Sequence, residues 1–345
     1  MGSHLSPASL PVRFGILGVS AFAMNKSLPA MRLSPGCELA AIASRDFDRA
    51  RDAASILGIP KAYGSYEDLL ADPSIDAVYN PLPNHLHVPW SIKALEAGKH
   101  VLCEKPLGLS PAEIRQLIAA RDASGKLCAE AFMIRSHPQW ERAIEIARSG
   151  ALGGVRLVTA AFSYNNRDPQ NVRNQADIGG GAVYDIGCYA VYSARLLFGE
   201  EPVRASAILE RDPDFHTDRL ASAILEFPSG QAHFHVSTQL AYYQRVMAFG
   251  THSRLEIEVP FNAPKDRPCR LWIDDGQNLH GEALVEDRFP VCDQYTVQGE
   301  RFGRAIRGLE KQAVTLDDSL GNALALDAIF RAGDAGAWVS VEPCK

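Results

Sequence analysis

Val12-Arg13-Phe14-Gly15-Ile16-Leu17-Gly18-Val19-Ser20-Ala21-Phe22-Ala23 is an apolar run that breaks onto a turn of small residues. The run Val12 to Leu17 reads as a buried strand, with a helix expected over about 25–32. In the register G-x-G-x-x-G/A, Gly18 takes the first place, Ala23 the third, and Ser20 stands where the second glycine belongs. The first glycine permits a tight turn, and the small third residue lets helix and strand approach. A serine hydroxyl in the middle can donate to a phosphate oxygen. Ala21 and Phe22 complete a turn whose amides, at a helix N-terminus, favour an anion. Taken alone, the stretch fits a dinucleotide site and an ordinary tight turn equally well.

Outward from it, strands and helices alternate. Strands are expected at 38–43, 77–80, 100–103 and 127–132, with helices at 48–57, 66–70, 89–97 and 111–123 between them. That rhythm is the mark of a parallel sheet with helices on both faces. After a helix at 138–149 the text changes to strand-like runs at 155–164, 203–210, 221–227, 231–240, 244–249 and 255–259. Hairpin turns such as Pro228-Ser229-Gly230 join several of them, which implies an antiparallel sheet. Helices are expected at 182–197, 300–307 and 319–332. The fold expected is an α/β Rossmann domain over 11–133, followed by an α+β domain with a largely antiparallel open sheet over 134–345. Residues 1–10 read as a disordered lead or tag, with no secretory signal.

Composition narrows the partners. The chain has 345 residues and a net charge of -6, with no long run of one sign, so neither nucleic acid nor an anionic membrane is expected. No segment approaches the roughly 18 uninterrupted apolar residues of a membrane-spanning helix. Seven scattered cysteines without metal-ligand spacing suit a reducing, cytoplasmic setting.

The end of the second strand, Ala43-Ser44-Arg45, bears on the coenzyme. An NAD site usually carries Asp or Glu here, accepting from the ribose 2′-hydroxyl. Ser44 and Arg45 instead suit a 2′-phosphate. NADP is therefore expected, with NAD as second choice; Asp46, one position late, is the residue that argues for NAD.

Two motifs carry the chemistry. Asn80-Pro81-Leu82-Pro83-Asn84-His85-Leu86-His87 leads to Ala97-Gly98-Lys99-His100-Val101-Leu102-Cys103-Glu104-Lys105-Pro106-Leu107. Further on stands Gly179-Gly180-Gly181-Ala182-Val183-Tyr184-Asp185-Ile186-Gly187-Cys188-Tyr189, with Asp185 and Tyr189 four apart on an expected helix. From Val12 to about Phe330 the chain resembles the glucose-fructose oxidoreductase / inositol dehydrogenase / rhizopine-catabolism (Gfo/Idh/MocA) family. Its D-x-x-x-Y pattern is similar to the NADP-linked xylose and glucose dehydrogenase-like branch, where tyrosine replaces the histidine of other members.

The resemblance implies a cis peptide bond at Lys105-Pro106 and a Lys105 that contacts the reacting hydroxyl. It implies that Tyr189 exchanges a proton with the substrate oxygen and that Asp185 holds a substrate hydroxyl or orients the lysine. Which of Lys105 and Tyr189 is the acid/base stays open. Pro81, Leu82, Asn84, His85, Glu104 and Arg173 are implied on the cofactor side, although Val172 replaces the tryptophan that precedes Arg173 in relatives. Arg135 and His137 are implied on the substrate side. His85-x-His87 lacks further ligands, so no metal is expected. The activity implied is hydride transfer between a nicotinamide and a sugar or polyol carbon. A keto-sugar reductase is the near alternative, and a non-catalytic NADP-binding sensor the distant one. A sheet with one open face implies a homodimer or homotetramer.

Overall fold

The computed structural model describes residues 11–344, and the lead at 1–10 lies outside them. The described residues form two compact units, 11–108 with Ala112–Ser136 and Asp293–Ser319, and Leu109–Pro111 with His137–Cys292 and 320–344.

In the first unit β1 (Val12–Leu17), α1 (Leu28–Arg32), β2 (Cys37–Ala43), α2 (Phe47–Leu57), β3 (Lys61–Tyr63), α3 (Tyr66–Ala71), β4 (Ala77–Asn80), α4 (His87–Glu96), β5 (His100–Cys103), α5 (Pro111–Ser124) and β6 (Cys128–Glu130) alternate. The strands lie in the order β3-β2-β1-β4-β5-β6, all parallel. This is the doubly wound arrangement that the alternating text implies, with ligands bound beyond the strands' carboxyl ends. Phe14, Ile16, Ile42, Tyr79 and Leu102 fill its core. Gly58 ends α2 with φ 64°, a left-handed stop that satisfies the last carbonyls.

The second unit holds α6 (Pro138–Arg148), β7 (Val155–Asn165), α7 (Cys188–Phe198), β8 (Arg204–Arg211), β9 (Asp218–Glu226), β10 (Gln231–Ser237), β11 (Gln239–Gly250), β12 (Arg254–Ile257), β13 (Cys269–Asp274) and β14 (Val285–Phe289). Its nine-stranded sheet runs β14-β13-β12-β11-β7-β10-β9-β8-β15. Every pairing is antiparallel except β7 with β10. The Pro228-Ser229-Gly230 turn closes the β9–β10 hairpin, with the Phe227 N–H donating to Gly230 O at 2.8 Å. After β14 come α8 (Gln294–Ile306), α9 (Leu316–Ala335) and β15 (Val339–Ser340).

One cut at 133/134 does not describe this division. Residues 293–319 return to the first unit. There Phe302 meets Phe14 at 6.3 Å between ring centroids, and Thr296 Oγ1 donates to Ala30 O at 2.9 Å. A Cβ on Gly303 would stand 2.7 Å from Gly36 O, so only glycine lets α8 approach this closely. The amphipathic text of α8 shows that it packs, not on which unit. Strands β3, β13, β14 and β15 carry no alternation strong enough to read from sequence; pairing with neighbours defines them.

Candidate active site

In the first unit the chain leaves β1 into a turn at Gly18, with φ 88°. A Cβ there would meet Leu82 Cδ2 at 2.8 Å, so the turn and the loop after β4 fit only around glycine. The Gly18 N–H donates to Ala43 O at 2.8 Å, fixing the turn beside the end of β2. Ser20 Oγ accepts from the Ala23 N–H at 3.1 Å, which makes it a helix cap and leaves its own proton to give. The helix then opens with a π turn over Ala23–Ser27, a local widening found often at functional sites. Phe22 packs edge-on against Tyr295 at 5.9 Å. Gly18, buried Ala23 and the amides above them form a cradle suited to a pyrophosphate.

Beside it, Ser44 Oγ accepts from the Asp46 N–H at 3.2 Å. The Asp46 carboxylate accepts from the Arg49 N–H at 3.2 Å and caps α2. Arg45 hydrogen-bonds the Tyr66 hydroxyl, and Arg49 stands near enough to act on the same phenol. Burial raises the Tyr66 pKa, and the two guanidinium groups pull it back. Arg49 Nη2 also donates to Val19 O at 3.2 Å, on the cradle itself. Two cations and a serine thus gather at the end of β2, beside the Gly18 turn. Arg49 and Tyr66 were not foreseen; Arg45 precedes the cap of α2 and Arg49 lies in its first turn, so no helical spacing links them in the sequence.

The Glu104-Lys105-Pro106-Leu107 segment is pinned on both sides of its lysine. Glu104 is buried and accepts from the Tyr79 hydroxyl at 2.6 Å, while that phenol oxygen lies 2.7 Å from Ser27 Oγ in the π turn. Desolvation first, then the Glu104 charge, pushes the Tyr79 phenol far above its ordinary range, so it stays a donor. The Lys105-Pro106 bond is cis. Beyond it, the Leu107 N–H donates to Glu130 Oε1 at 2.9 Å.

The loop after β4 is held as firmly. Asn80 Oδ1 accepts from the Leu82 N–H at 3.3 Å, and Asn80 Nδ2 donates to His87 O at 3.0 Å. Pro81 and Leu82 are buried, Asn84 opens a 3₁₀ turn over Asn84–Leu86, and His85 is exposed. His87 is buried with one ring nitrogen 2.6 Å from Leu82 O and the other 2.8 Å from Pro106 O. Both nitrogens face carbonyls, so His85 and His87 do not act as a metal-ligand pair.

In the second unit, three glycines precede the helix that bears Asp185 and Tyr189. A Cβ on Gly180 would stand 2.6 Å from Arg173 O and 2.7 Å from Gln175 O. Gly181, with φ 115°, would clash with Asp218. The helix begins with a second π turn, Val183–Gly187, and continues as α7. Asp185 Oδ2 accepts from the Tyr164 hydroxyl at 2.6 Å and pairs with Arg173 Nε at 2.9 Å. Arg173 is held charged chiefly by Asp185, and the Tyr189 phenol acts on it too. Burial, then the Asp185 charge, pushes Tyr164 well above the ordinary phenol range, so it too remains a donor. Tyr189 is buried against Phe162 and Phe261, at 6.0 and 5.4 Å between centroids. Tyr164, at the end of β7, was not foreseen; a lone tyrosine ending a strand carries no motif. Arg173, expected on the cofactor side, is placed here as the partner of Asp185.

The two further groups expected on the substrate side, Arg135 and His137, lie in and just after the 3₁₀ turn Met133–Ser136. His137 is fully buried, and its Nδ1 accepts from the Gln139 N–H at 3.2 Å, capping α6. Burial lowers its pKa to about 4. Arg135, in a 3₁₀ turn of the first unit, lines a cavity of about 30 Å³ with Leu102, Phe132 and Phe302.

Comparison with known proteins bears on the family and the fold. Residues 12–132 match the oxidoreductase family with an NAD-binding Rossmann fold, and residues 140–256 match the GFO/IDH/MocA C-terminal domain. An uncharacterised oxidoreductase of Rhizobium meliloti is 49% identical, over 96% of this chain and 99% of that protein. A D-xylose 1-dehydrogenase (NADP(+)) of Haloferax volcanii is 40% identical, over 95% and 99%. A 3-ketoreductase from Actinomadura kijaniata, solved with NADP and TDP-benzene, superposes with a TM-score of 0.86 at 31% identity, covering 93% of this chain and 98% of that one. The same enzyme has been solved with a tyrosine changed to phenylalanine and with a lysine changed to alanine. This chain is a member of the Gfo/Idh/MocA oxidoreductase family.

Proposed function

We propose that the chain is an NADP-dependent sugar oxidoreductase that oxidises the anomeric carbinol of an aldose to a lactone. The bound dinucleotide supplies the hydride acceptor. Gly18, Ser20, Ala21, Phe22 and Ala23 form the phosphate turn, and Ser44, Arg45 and Arg49 select the 2′-phosphate. Pro81, Leu82, Asn84, His85 and Glu104 shape the nicotinamide side. Lys105 and Tyr189 manage the proton of the substrate oxygen, and the ammonium of Lys105 stabilises its developing negative charge. Asp185, held by Tyr164 and Arg173, presents a fixed carboxylate to a sugar hydroxyl.

The observation that carries this reading is the cluster of Tyr164, Arg173 and Asp185 beside Tyr189. A dinucleotide sensor has no use for such a set. The 40%-identical xylose dehydrogenase supports the aldose substrate. A 33%-identical relative, a dTDP-3,4-didehydro-2,6-dideoxy-α-D-glucose 3-reductase of Actinomadura kijaniata, supports keto-sugar reduction as the second reading. Initial rates on D-xylose, D-glucose and other aldoses with NADP, and on keto-sugars with NADPH, decide between them. Turnover confined to the keto-sugars would overturn the first.

We also propose a homodimer or homotetramer built on the open face of the nine-stranded sheet, where Ile208 and Ile224 are exposed beside His233 and His235. Sedimentation of wild type and Ile208→Glu tests it. A cytoplasmic location fits seven cysteines with no disulfide among the described residues; fractionation of cells carrying a tagged chain tests it.

A further inference from the structure

Asp218, the first residue of β9, is 2% exposed and belongs to none of the motifs above. Its Oδ2 accepts from the Val183 N–H at 2.6 Å, and the Ala182 N–H reaches the same carboxylate. These amides open the helical segment that carries Asp185 and Tyr189. They belong to the donors that a helix leaves unsatisfied at its start. Here the cap comes not from the residue preceding the helix but from a strand 35 positions further along. Gly181 is the residue that makes room: any side chain there would overlap Asp218 Oδ1.

We infer that Asp218 is a positioning residue, which ties the first turn of the helix to β9 and thereby sets how Asp185 and Tyr189 are presented. Asp185 lies two residues past the capped amide, inside the π turn. At the backbone, the start of that turn is otherwise tied by the Asp185 N–H donating to Gly181 O at 3.1 Å and by the Gly181 N–H donating to Arg173 O at 2.9 Å. Burial pushes the Asp218 carboxyl up to about 7, and the Val183 amide, its own amide, the Arg211 charge and the Ala182 amide draw it back down. The buried carboxylate is thus satisfied by backbone amides, two of which open the helical segment.

The inference rests on the proposed sugar chemistry, so its test has one arm with substrate and one without. Asp218→Asn retains an oxygen that accepts from Val183; Asp218→Leu fills the volume and accepts nothing. Expected with D-xylose and NADP: kcat/KM falls at least tenfold for Asp218→Leu and stays within about threefold for Asp218→Asn, while the NADPH dissociation constant is unchanged in both. Expected without substrate: hydrogen exchange of the peptide spanning 182–190 speeds at least tenfold in Asp218→Leu alone. Should Asp218→Leu not fold, Asp218→Ala takes its place. Equal kcat/KM and equal exchange in the two variants overturn the inference. Absence of sugar turnover in wild type refutes the substrate reading, and the exchange arm then decides alone.

Discussion

The imidazole of His87 lies with Nδ1 2.8 Å from the carbonyl oxygen of Pro106, the residue after the lysine of the E-K-P motif. Its Nε2 lies 2.6 Å from Leu82 O in the loop that packs on Gly18. Desolvation lowers the ring pKa to about 4, so near neutrality it carries one N–H, which one carbonyl receives while the other meets the bare nitrogen. One buried ring therefore spans the phosphate-side loop and the catalytic segment. His87→Phe keeps the ring and removes the donor. NADPH affinity and kcat should each fall by about 5- to 100-fold, the cost of a buried hydrogen bond left unmade. Fluorescence titration and steady-state rates check this, and unchanged values in a folded variant contradict it.

Acid should unfold this protein through its histidines. His87, His100 and His137 are all lowered to about 4 by burial, against 6.5 when exposed. The unfolded chain binds these protons as pH falls through 6.5, and the folded one does not until about 4. Their stability contribution is complete above 6.5 and is lost between 6.5 and 4. Fully buried His87 alone accounts for on the order of 3 kcal/mol. Urea midpoints at pH 7, 6, 5 and 4.5 should drop steadily, and His87→Phe should flatten the drop.

Coenzyme choice should respond to Arg49 as well as Arg45. Removing a guanidinium from a phosphate costs roughly 1.5–3 kcal/mol, or about 10- to 150-fold. Arg49→Ala should raise the KM for NADP by that order and leave NAD nearly unaffected. Ser44→Asp with Arg45→Ala should invert the preference. An equal effect on both coenzymes would show that this corner does not bind the 2′ substituent.

Tyr164→Phe removes one donor to Asp185 while leaving Arg173 in place. A loss of about 10-fold in kcat/KM for the sugar is expected, with NADPH binding intact. Lys105→Ala should abolish turnover, again without loss of NADPH fluorescence. Separate titrations of coenzyme and sugar distinguish these outcomes from misfolding.

Sequence by itself determined the alternation that makes the first sheet parallel, the Gly18 turn, the E-K-P segment, and the helix that carries Asp185 and Tyr189. Each is local: a periodicity, a turn chemistry or a short motif states it within about a dozen residues. Only tertiary structure decided that α8 belongs to the first unit, that Asp46 caps α2, and that Arg173 pairs with Asp185. It also brought Tyr164 and Asp218 to that helix from β7 and β9. Those contacts join residues tens of positions apart through sheet register and the close approach that glycine allows, and neither leaves a pattern in the linear text.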